Sequence, residues 1–148
     1  MTYLLDTNVV SEIRKKAPNA NVLAFVADIS SADIHISVLT IGEIKIGIER
    51  LRRKDPGQAD ALDRWLAGLK TTYANRIIRV DARIAEEWGR LNVPDPLPVI
   101  DGLLAATARC HSWTLVTRNT ADLANCGVAL LNPFEPAGVT GGERSSSI

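Results

Sequence analysis

The chain has 148 residues, an apolar content of 46%, and 17 basic residues against 17 acidic ones. This length fits one domain of roughly 100 to 200 residues, and the apolar content supplies a hydrophobic core without a disulfide or a structural metal. The balanced charge excludes a protein that binds nucleic acid through bulk positive charge, so that any such contact must be local.

The first half of the chain alternates short apolar runs with amphipathic stretches. Tyr3-Leu4-Leu5 is too short for a helix and precedes the capping residues 6–8, so it predicts a buried strand that leads into a helix. The predicted elements, in chain order, are a strand at 3–5, a helix through 9–13, a helix over 21–30, a strand at 34–37, a helix with the apolar stripe Ile41, Ile44, Ile48 and Leu51, and a helix with the stripe Leu62, Trp65, Leu66 and Leu69.

The same alternation continues in the second half. Pro98 fits the first position of a helix because its φ is fixed and it lacks an N–H, which places Asp101 in the first turn, where the helix dipole favours a carboxylate. The predicted elements are a strand at 77–80, a helix near 82–91, a helix through Ile100, Leu103, Leu104 and Ala108, a strand at 114–117, a helix that Asn119 caps and that contains Asp122, and a strand at 129–131.

Strands that alternate with helices predict an α/β fold with a mainly parallel central sheet, because parallel neighbours need a helical crossover between them. We expect one domain over residues 1–134. Residues 138–148 are rich in glycine and serine, and we expect the tail over residues 135–148 to be disordered.

Cysteine spacing and hydropathy indicate a reducing, aqueous compartment. Cys110 and Cys126 lack the spacing of a zinc site, and two thiols make a poor extracellular framework. No window approaches the roughly 18 uninterrupted apolar residues of a membrane span, and the N-terminus does not resemble a signal peptide. We therefore expect a cytoplasmic protein without membrane contact.

Four acidic residues lie after predicted strands. Asp6 directly follows the first strand, Glu43 lies on the helix after the second, Asp101 opens a helix, and Asp122 follows the strand that ends at Thr117. Open α/β sheets bind ligands beyond the carboxyl ends of their strands, so these positions are natural site residues. Clustered carboxylates repel one another unless a cation compensates their charge, and oxygen ligands suit Mg²⁺ or Mn²⁺.

Each of these residues also has a structural alternative. Asp6 could cap the first helix, and Asp101 could simply interact favourably with a helix dipole. Asp122 lies three residues after Asn119, which is the spacing of a capping pair. Glu43 could occupy a helix surface. Two basic clusters, at 14–16 and 50–54, could attract phosphate or could be solvated helix ends.

Four segments together resemble the successive motifs of PIN-domain nucleases, in order and in spacing: LLDTNVVSE (4–12), GEI (42–44), PVIDGLLAATA (98–108) and LVTRNTADL (115–123). The similarity runs from about Thr2 to Phe134 and is closest to the VapC- and FitB-like toxins of bacterial toxin–antitoxin pairs. The resemblance implies a three-layer α/β/α PIN-like domain over residues 1–134.

The resemblance further implies a metal-dependent endoribonuclease toxin in which Asp6, Glu43, Asp101 and Asp122 form the acidic, metal-holding set. Asn119 stands where many relatives carry another acid, which leaves open whether the fourth position binds the metal directly or through water. Candidate contacts to the RNA substrate are Thr7, Asn8 and Arg118.

The same resemblance implies protein partners. A co-encoded antitoxin would cover the acidic cleft with its C-terminal segment, commonly with an arginine entering it, and would build a higher assembly. A homodimer is expected through the amphipathic helices between Glu43 and Leu69.

Two other functions are compatible with acids after parallel strands. An aspartyl-phosphate phosphatase or a receiver-type domain would use Asp6 as a nucleophile, although Thr7 and Asn8 do not match the DxDxT pattern and Arg118 stands where a receiver has lysine. A domain that only binds RNA or protein is the second alternative, but four acids make a poor phosphate surface without metal.

Overall fold

Strands alternate with helices through residues 1–136, the part of the chain that this computed structural model describes. The strands are β1 (Tyr3–Leu5), β2 (Ile34–Ser37), β3 (Ile77–Ile78), β4 (Thr114–Val116) and β5 (Ala129–Leu131). The helices are α1 (Thr7–Ile13), α2 (Ala20–Asp28), α3 (Val38–Arg52), α4 (Pro56–Thr72), α5 (Ala82–Leu91) and α6 (Val99–His111).

The strands form one sheet in the order β3-β2-β1-β4-β5, in which every neighbouring pair is parallel. The chain moves outward from β1 through β2 to β3 and then returns to the other side of β1 as β4. The strand order therefore reverses between β1 and β4. Ligands of open α/β sheets bind at such a reversal, beyond the carboxyl ends of the strands.

Side chains that alternate along the strands separate the core into two layers. Leu5 and Ile36 face one cluster, which buries apolar residues of α1, α2, α3 and α4, whereas Leu4 and Leu115 face a second cluster with α6. Successive strand residues point to opposite faces, so β1 and β4 each contribute buried residues to both layers. This arrangement confirms the predicted α/β class and its helix-covered parallel sheet.

Helix α6 lies close to α5 because its first turn contains a glycine. A Cβ built on Gly102 would lie 3.1 Å from Cδ1 and 3.2 Å from Nε1 of Trp88, which is tighter than an ordinary contact. Farther along α6, Ala105 and Ala108 are fully buried. These small residues let α6 pack closely against α5 and against Leu4 and Leu115 of the sheet.

The predicted helix after Asn119 is wrong. Residues 120–126 form turns, joined by bonds from Leu123 N to Thr120 O and from Cys126 N to Leu123 O. These bonds span three residues and do not continue into a helix. Asn119 does not cap this segment, because its side chain bonds to another part of the fold.

Several smaller boundaries also differ from prediction, including α2, which ends at Asp28 rather than at residue 30, and β4, which ends at Val116 rather than at residue 117. Strand β3 ends at Ile78 rather than at residue 80, as fits an edge strand with one partner. Pro98 is the residue before α6 and not its first residue, although Asp101 lies in the first turn as predicted. The predicted tail at 135–148 lies almost wholly outside the described residues, and the domain boundary at 134 stays a prediction.

Both cysteines are free thiols, with Cys126 buried and Cys110 partly exposed. Among the helices described, none is both long and apolar enough to cross a bilayer. The cytoplasmic location stays a prediction.

The core assignment predicts that leucine-to-alanine substitutions have a larger effect on stability at a buried position than at an exposed one. Leu104 is 0% exposed and Leu23 is 44% exposed. We expect Leu104→Ala to lower the free energy of unfolding by about 2–5 kcal/mol, because it leaves a cavity, and Leu23→Ala to change it by less than about 0.5 kcal/mol. Urea unfolding followed by circular dichroism measures both values. Equal losses in the two variants would contradict the assigned core.

Candidate active site at the carboxyl edge of the sheet

Asp6 is a buried carboxylate at the junction of β1 and α1, with 5% of its surface exposed. Its backbone N–H donates to the carbonyl of Val116 at 2.9 Å, which extends the pairing of β1 with β4 by one residue. Its Oδ1 accepts from the backbone N–H of Thr7 at 2.6 Å, and its Oδ2 accepts from the hydroxyl of Thr117 at 2.7 Å. Asp6 therefore caps α1 and also faces the strand reversal.

Burial raises the pKa of Asp6 above its usual value. The hydrogen bonds from Thr117 and Thr7 oppose this shift, whereas the negative charges of Asp101 and Glu43 add to it. These charges act on Asp6 because the fold brings the three carboxylates into one neighbourhood. A cation bound among them would favour the ionised form of Asp6.

Glu43 reaches the same neighbourhood from the second turn of α3. Its Oε1 accepts a hydrogen bond of 2.5 Å from the hydroxyl of Thr7, which also lies 3.1 Å from the hydroxyl of Thr40. Thr40 is fully buried on α3. The two threonines thus connect α1 to α3 and hold Glu43 beside the N-terminus of α1.

Asp101 is joined to Asp6 through a chain of hydrogen bonds. The side-chain amide of Asn119 donates to Oδ2 of Asp101 at 2.7 Å, and the backbone N–H of Asn119 donates to the hydroxyl of Thr117 at 3.0 Å. Thr117 in turn donates to Asp6. The loop after β4 therefore sets the position of both carboxylates.

Asp122 lies apart from this chain. It is on the turn segment after β4 and lines a cavity of about 260 Å³ together with Pro94, Asp95 and Asn125. Within residues 1–136, its carboxylate makes no side-chain hydrogen bond to the other three acids. The structure thus brings Asp6, Glu43 and Asp101 together, and the role of Asp122 stays a prediction.

Three further residues were predicted to contact RNA. The hydroxyl of Thr7 donates to Glu43. The Oδ1 atom of Asn8 is buried and has no hydrogen-bond partner among the described residues. The guanidinium of Arg118 lies over the ring of Phe134, 3.7 Å from its centroid, and Arg118 is exposed to solvent.

Thr117 and Thr40 were not singled out by the sequence. Thr117 directly follows β4 in the same way that Asp6 follows β1. A polar residue at the carboxyl end of a strand is a sequence feature that could have predicted Thr117 as a site residue. Thr40 offered no such signal, because a threonine on a helix is ordinary and its contact with Thr7 arises only in the folded chain.

The donor set fits a hard divalent cation in its chemistry, since all three grouped side chains are carboxylates. As they stand, no three His, Cys, Asp or Glu side chains within residues 1–136 converge into a complete group of metal ligands. Mg²⁺ usually needs only one or two protein carboxylates and keeps water or phosphate as its other ligands. The residues present therefore fit an ion of this kind and offer no zinc-like cage.

Comparisons with known proteins agree with the fold and with the motifs. The model of the PIN domain family matches residues 3–126. The chain is 30% identical to Toxin FitB of Neisseria gonorrhoeae over 138 residues, which cover 88% of this chain and 97% of that protein. It is 28% identical to VapC ribonuclease Y4jK of Sinorhizobium fredii over 142 residues, which cover 90% and 99% of the two chains.

A solved structure shows the same architecture. The crystal structure of FitAcB from Neisseria gonorrhoeae superimposes with a TM-score of 0.84 at 29% identity, and the match covers 90% of this chain and 99% of that one. The family match extends over most of the chain and includes Asp6, Glu43, Asp101 and the loop after β4. The chain belongs to the PIN-domain family.

Proposed function

We propose that this protein is a metal-dependent endoribonuclease and the toxin of a toxin–antitoxin pair. The observation that supports it most is the hydrogen-bonded chain from Asp6 through Thr117 and Asn119 to Asp101 at the strand reversal, with Glu43 beside it. Relatives with the same domain are named a toxin and a ribonuclease.

Asp6 is an unfavourable nucleophile for phosphate transfer. Both of its oxygens accept hydrogen bonds, and the residue is 5% exposed. A phosphoryl group must approach the attacking carboxylate oxygen directly, whereas a small cation or a water molecule needs less room. The burial of Asp6 therefore favours a role in holding a cation or orienting water over the phosphatase and receiver alternatives.

Mg²⁺ or Mn²⁺ is the proposed cofactor, with Asp6, Glu43 and Asp101 as the residues that would hold it. Asp122 is proposed as a fourth acid, and Asn119 as a residue that acts through Asp101 or through water. When bound, such an ion supplies Lewis acidity, which neutralises charge on the phosphate and lowers the pKa of water.

The carboxylates have a second task in the proposed reaction. Asp6 and Asp101 orient a water molecule for in-line attack on phosphorus, and the proton that the water loses passes to solvent or to a carboxylate. The bond from phosphorus to the 3′-oxygen breaks, the 3′-oxygen takes up a proton from solvent to become a hydroxyl, and the other product carries a 5′-phosphate. Thr7, which donates to Glu43, and Arg118, which follows Thr117 in the chain, are proposed to contact RNA. Asn8 would have to turn its buried Oδ1 outward to do so.

An antitoxin is the proposed inhibitor. Three clustered carboxylates suit the guanidinium fork of an inserted arginine. A solved structure of a toxin-antitoxin complex from Klebsiella pneumoniae, similar to this chain at 25% identity with a TM-score of 0.66, supports a protein partner. We also propose a homodimer through α3 and α4, where Ile46 is 53% exposed. The antitoxin interface and the homodimer interface would each join two separate chains.

Cleavage of RNA tests the proposal. We expect the purified, antitoxin-free protein to cut a mixed pool of structured RNA in the presence of Mn²⁺ and to leave 5′-phosphate ends. Asp101→Asn should lower the rate on the order of 10²-fold or more, since the lost stabilisation amounts to several kcal/mol. Asp28→Asn, at an exposed position on α2, is the matched control and should cleave normally.

End mapping on a sequencing gel identifies the products. Cuts that persist in chelator, or that end in a 2′,3′-cyclic phosphate, would refute this mechanism.

The Thr117 hydroxyl provides a second test, through metal affinity. Thr117→Val removes a hydrogen bond that stabilises the Asp6 carboxylate, and loss of such a supporting bond typically weakens metal binding about 10- to 100-fold. Thr107→Val is a matched control, because Thr107 is also buried but bonds only to the carbonyl of Leu103. Titration calorimetry with Mn²⁺ should separate the two variants. Equal affinities in both would argue against an ion held beside Asp6.

A further inference from the structure

A second cavity of about 200 Å³ adjoins the acidic site and is not used by the proposed chemistry. It lies between α1, α3 and α4. Thr7 and Glu43 border it on the side of the carboxylates, and Arg14 and Trp65 also line it. The cavity is therefore continuous with the site through two of the site's own residues.

The lining combines flat apolar walls with a few polar groups. Ile44, Ile48 and Leu62 supply apolar surface, and Ser11 adds a hydroxyl. Pockets for whole small ligands usually hold about 300–1,000 Å³. A volume of about 200 Å³ is thus suited to one planar ring system and is too small for a complete nucleotide.

Arg14 is a cation without an ion pair among residues 1–136. Its neighbour Lys15 pairs with Glu12. In the second basic cluster, Arg52 pairs with acids on α3 and α4. Internal ion pairs therefore account for Lys15 and Arg52 but not for Arg14, which remains available for a phosphate.

Arg14 lies near Trp65 without covering its ring at contact distance. The guanidinium carbon of Arg14 lies 6.0 Å from the centroid of the Trp65 ring, whereas Arg118 lies 3.7 Å from that of Phe134. A base can therefore stack on the Trp65 ring while the long side chain of Arg14 binds a phosphate beside it.

We propose that this cavity binds the base of the nucleotide next to the cleaved phosphate, with the base stacked on Trp65 and a neighbouring phosphate on Arg14. The inference rests on the proposed ribonuclease function and adds a base subsite to it. Stacking on an aromatic side chain tolerates different bases, because every base has a π-face. The subsite would thus fix the position of the strand more than its sequence.

Gly47 allows the cavity to be filled without disturbing the fold. It lines the cavity from α3, and a Cβ built on it meets no atom within 4 Å. A larger residue in the middle of a helix also raises helix propensity. Gly47→Leu should therefore fold and occupy the space of the base. Gly68→Leu, on α4, is the matched control, because its Cβ also meets no atom within 4 Å and Gly68 does not line the cavity.

The experiment measures binding of a fluorescent single-stranded RNA by anisotropy, in the Asp101→Asn background so that the RNA stays intact. A panel of the same RNA carries one abasic nucleotide at successive positions. In the parent we expect one position at which loss of the base weakens binding on the order of tenfold. Gly47→Leu should weaken binding of the intact RNA to a similar extent. In this variant, removal of the base at that position should cause no further loss of affinity. Gly68→Leu should behave like the parent.

Three results would overturn the subsite: a panel in which no abasic position matters, unchanged RNA binding by Gly47→Leu, or loss of antitoxin binding alone in that variant, which would make the cavity a protein site. The two proposals fail separately. RNA cleavage by an otherwise wild-type Gly47→Leu protein at the normal KM would refute the subsite and retain the ribonuclease. The expected abasic pattern without any cleavage by wild type would refute the ribonuclease and retain the subsite.

Discussion

The site depends on the burial of one carboxylate at the junction of the central strand and the first helix. Asp6 is almost fully buried, yet its two oxygens accept hydrogen bonds from Thr7 and Thr117, which come from different parts of the chain. Burial raises its pKa, and the charges of Asp101 and Glu43 raise it further. Two hydrogen bonds offset only part of this cost, and a cation bound nearby would offset more of it.

The rest of the fold supplies the geometry that this carboxylate requires. Pairing of β1 with β4 puts Thr117 beside Asp6, and the loop after β4 lets Asn119 reach Asp101. The contact of Gly102 with Trp88 permits the close approach of α6 to α5. Helices α1, α3 and α6 and the loop after β4 thus all contribute polar groups to the same edge.

Local sequence rules predicted the elements better than they predicted the partners of polar side chains. The positions of Asp6 and Asp101 followed from a capping signal after a short apolar run and from a proline before an apolar stripe, and both are local. Asn119 could either cap a helix or bond to a distant carboxylate, and the choice depends on where α6 lies. A sequence does not state that position, and so the helix predicted after Asn119 was wrong.

The same limit applies to contacts between distant residues. The bond between Thr7 and Glu43 spans 36 positions, and the bond between Thr117 and Asp6 spans 111. The cavity between Glu43 and Trp65 likewise exists only when α1, α3 and α4 have packed. The family resemblance named the acids as a motif, but it did not reveal the threonines that contact Asp6 and Glu43.

The most direct test of the central claim is to locate a bound ion. Crystals of the antitoxin-free protein grown with Mn²⁺ should show an anomalous diffraction peak among the carboxylates of Asp6, Glu43 and Asp101. Crystals of the Asp6→Ala variant grown under the same conditions should lack this peak. A well-occupied peak elsewhere on the protein, with none beside Asp6 at saturating Mn²⁺, would contradict the account.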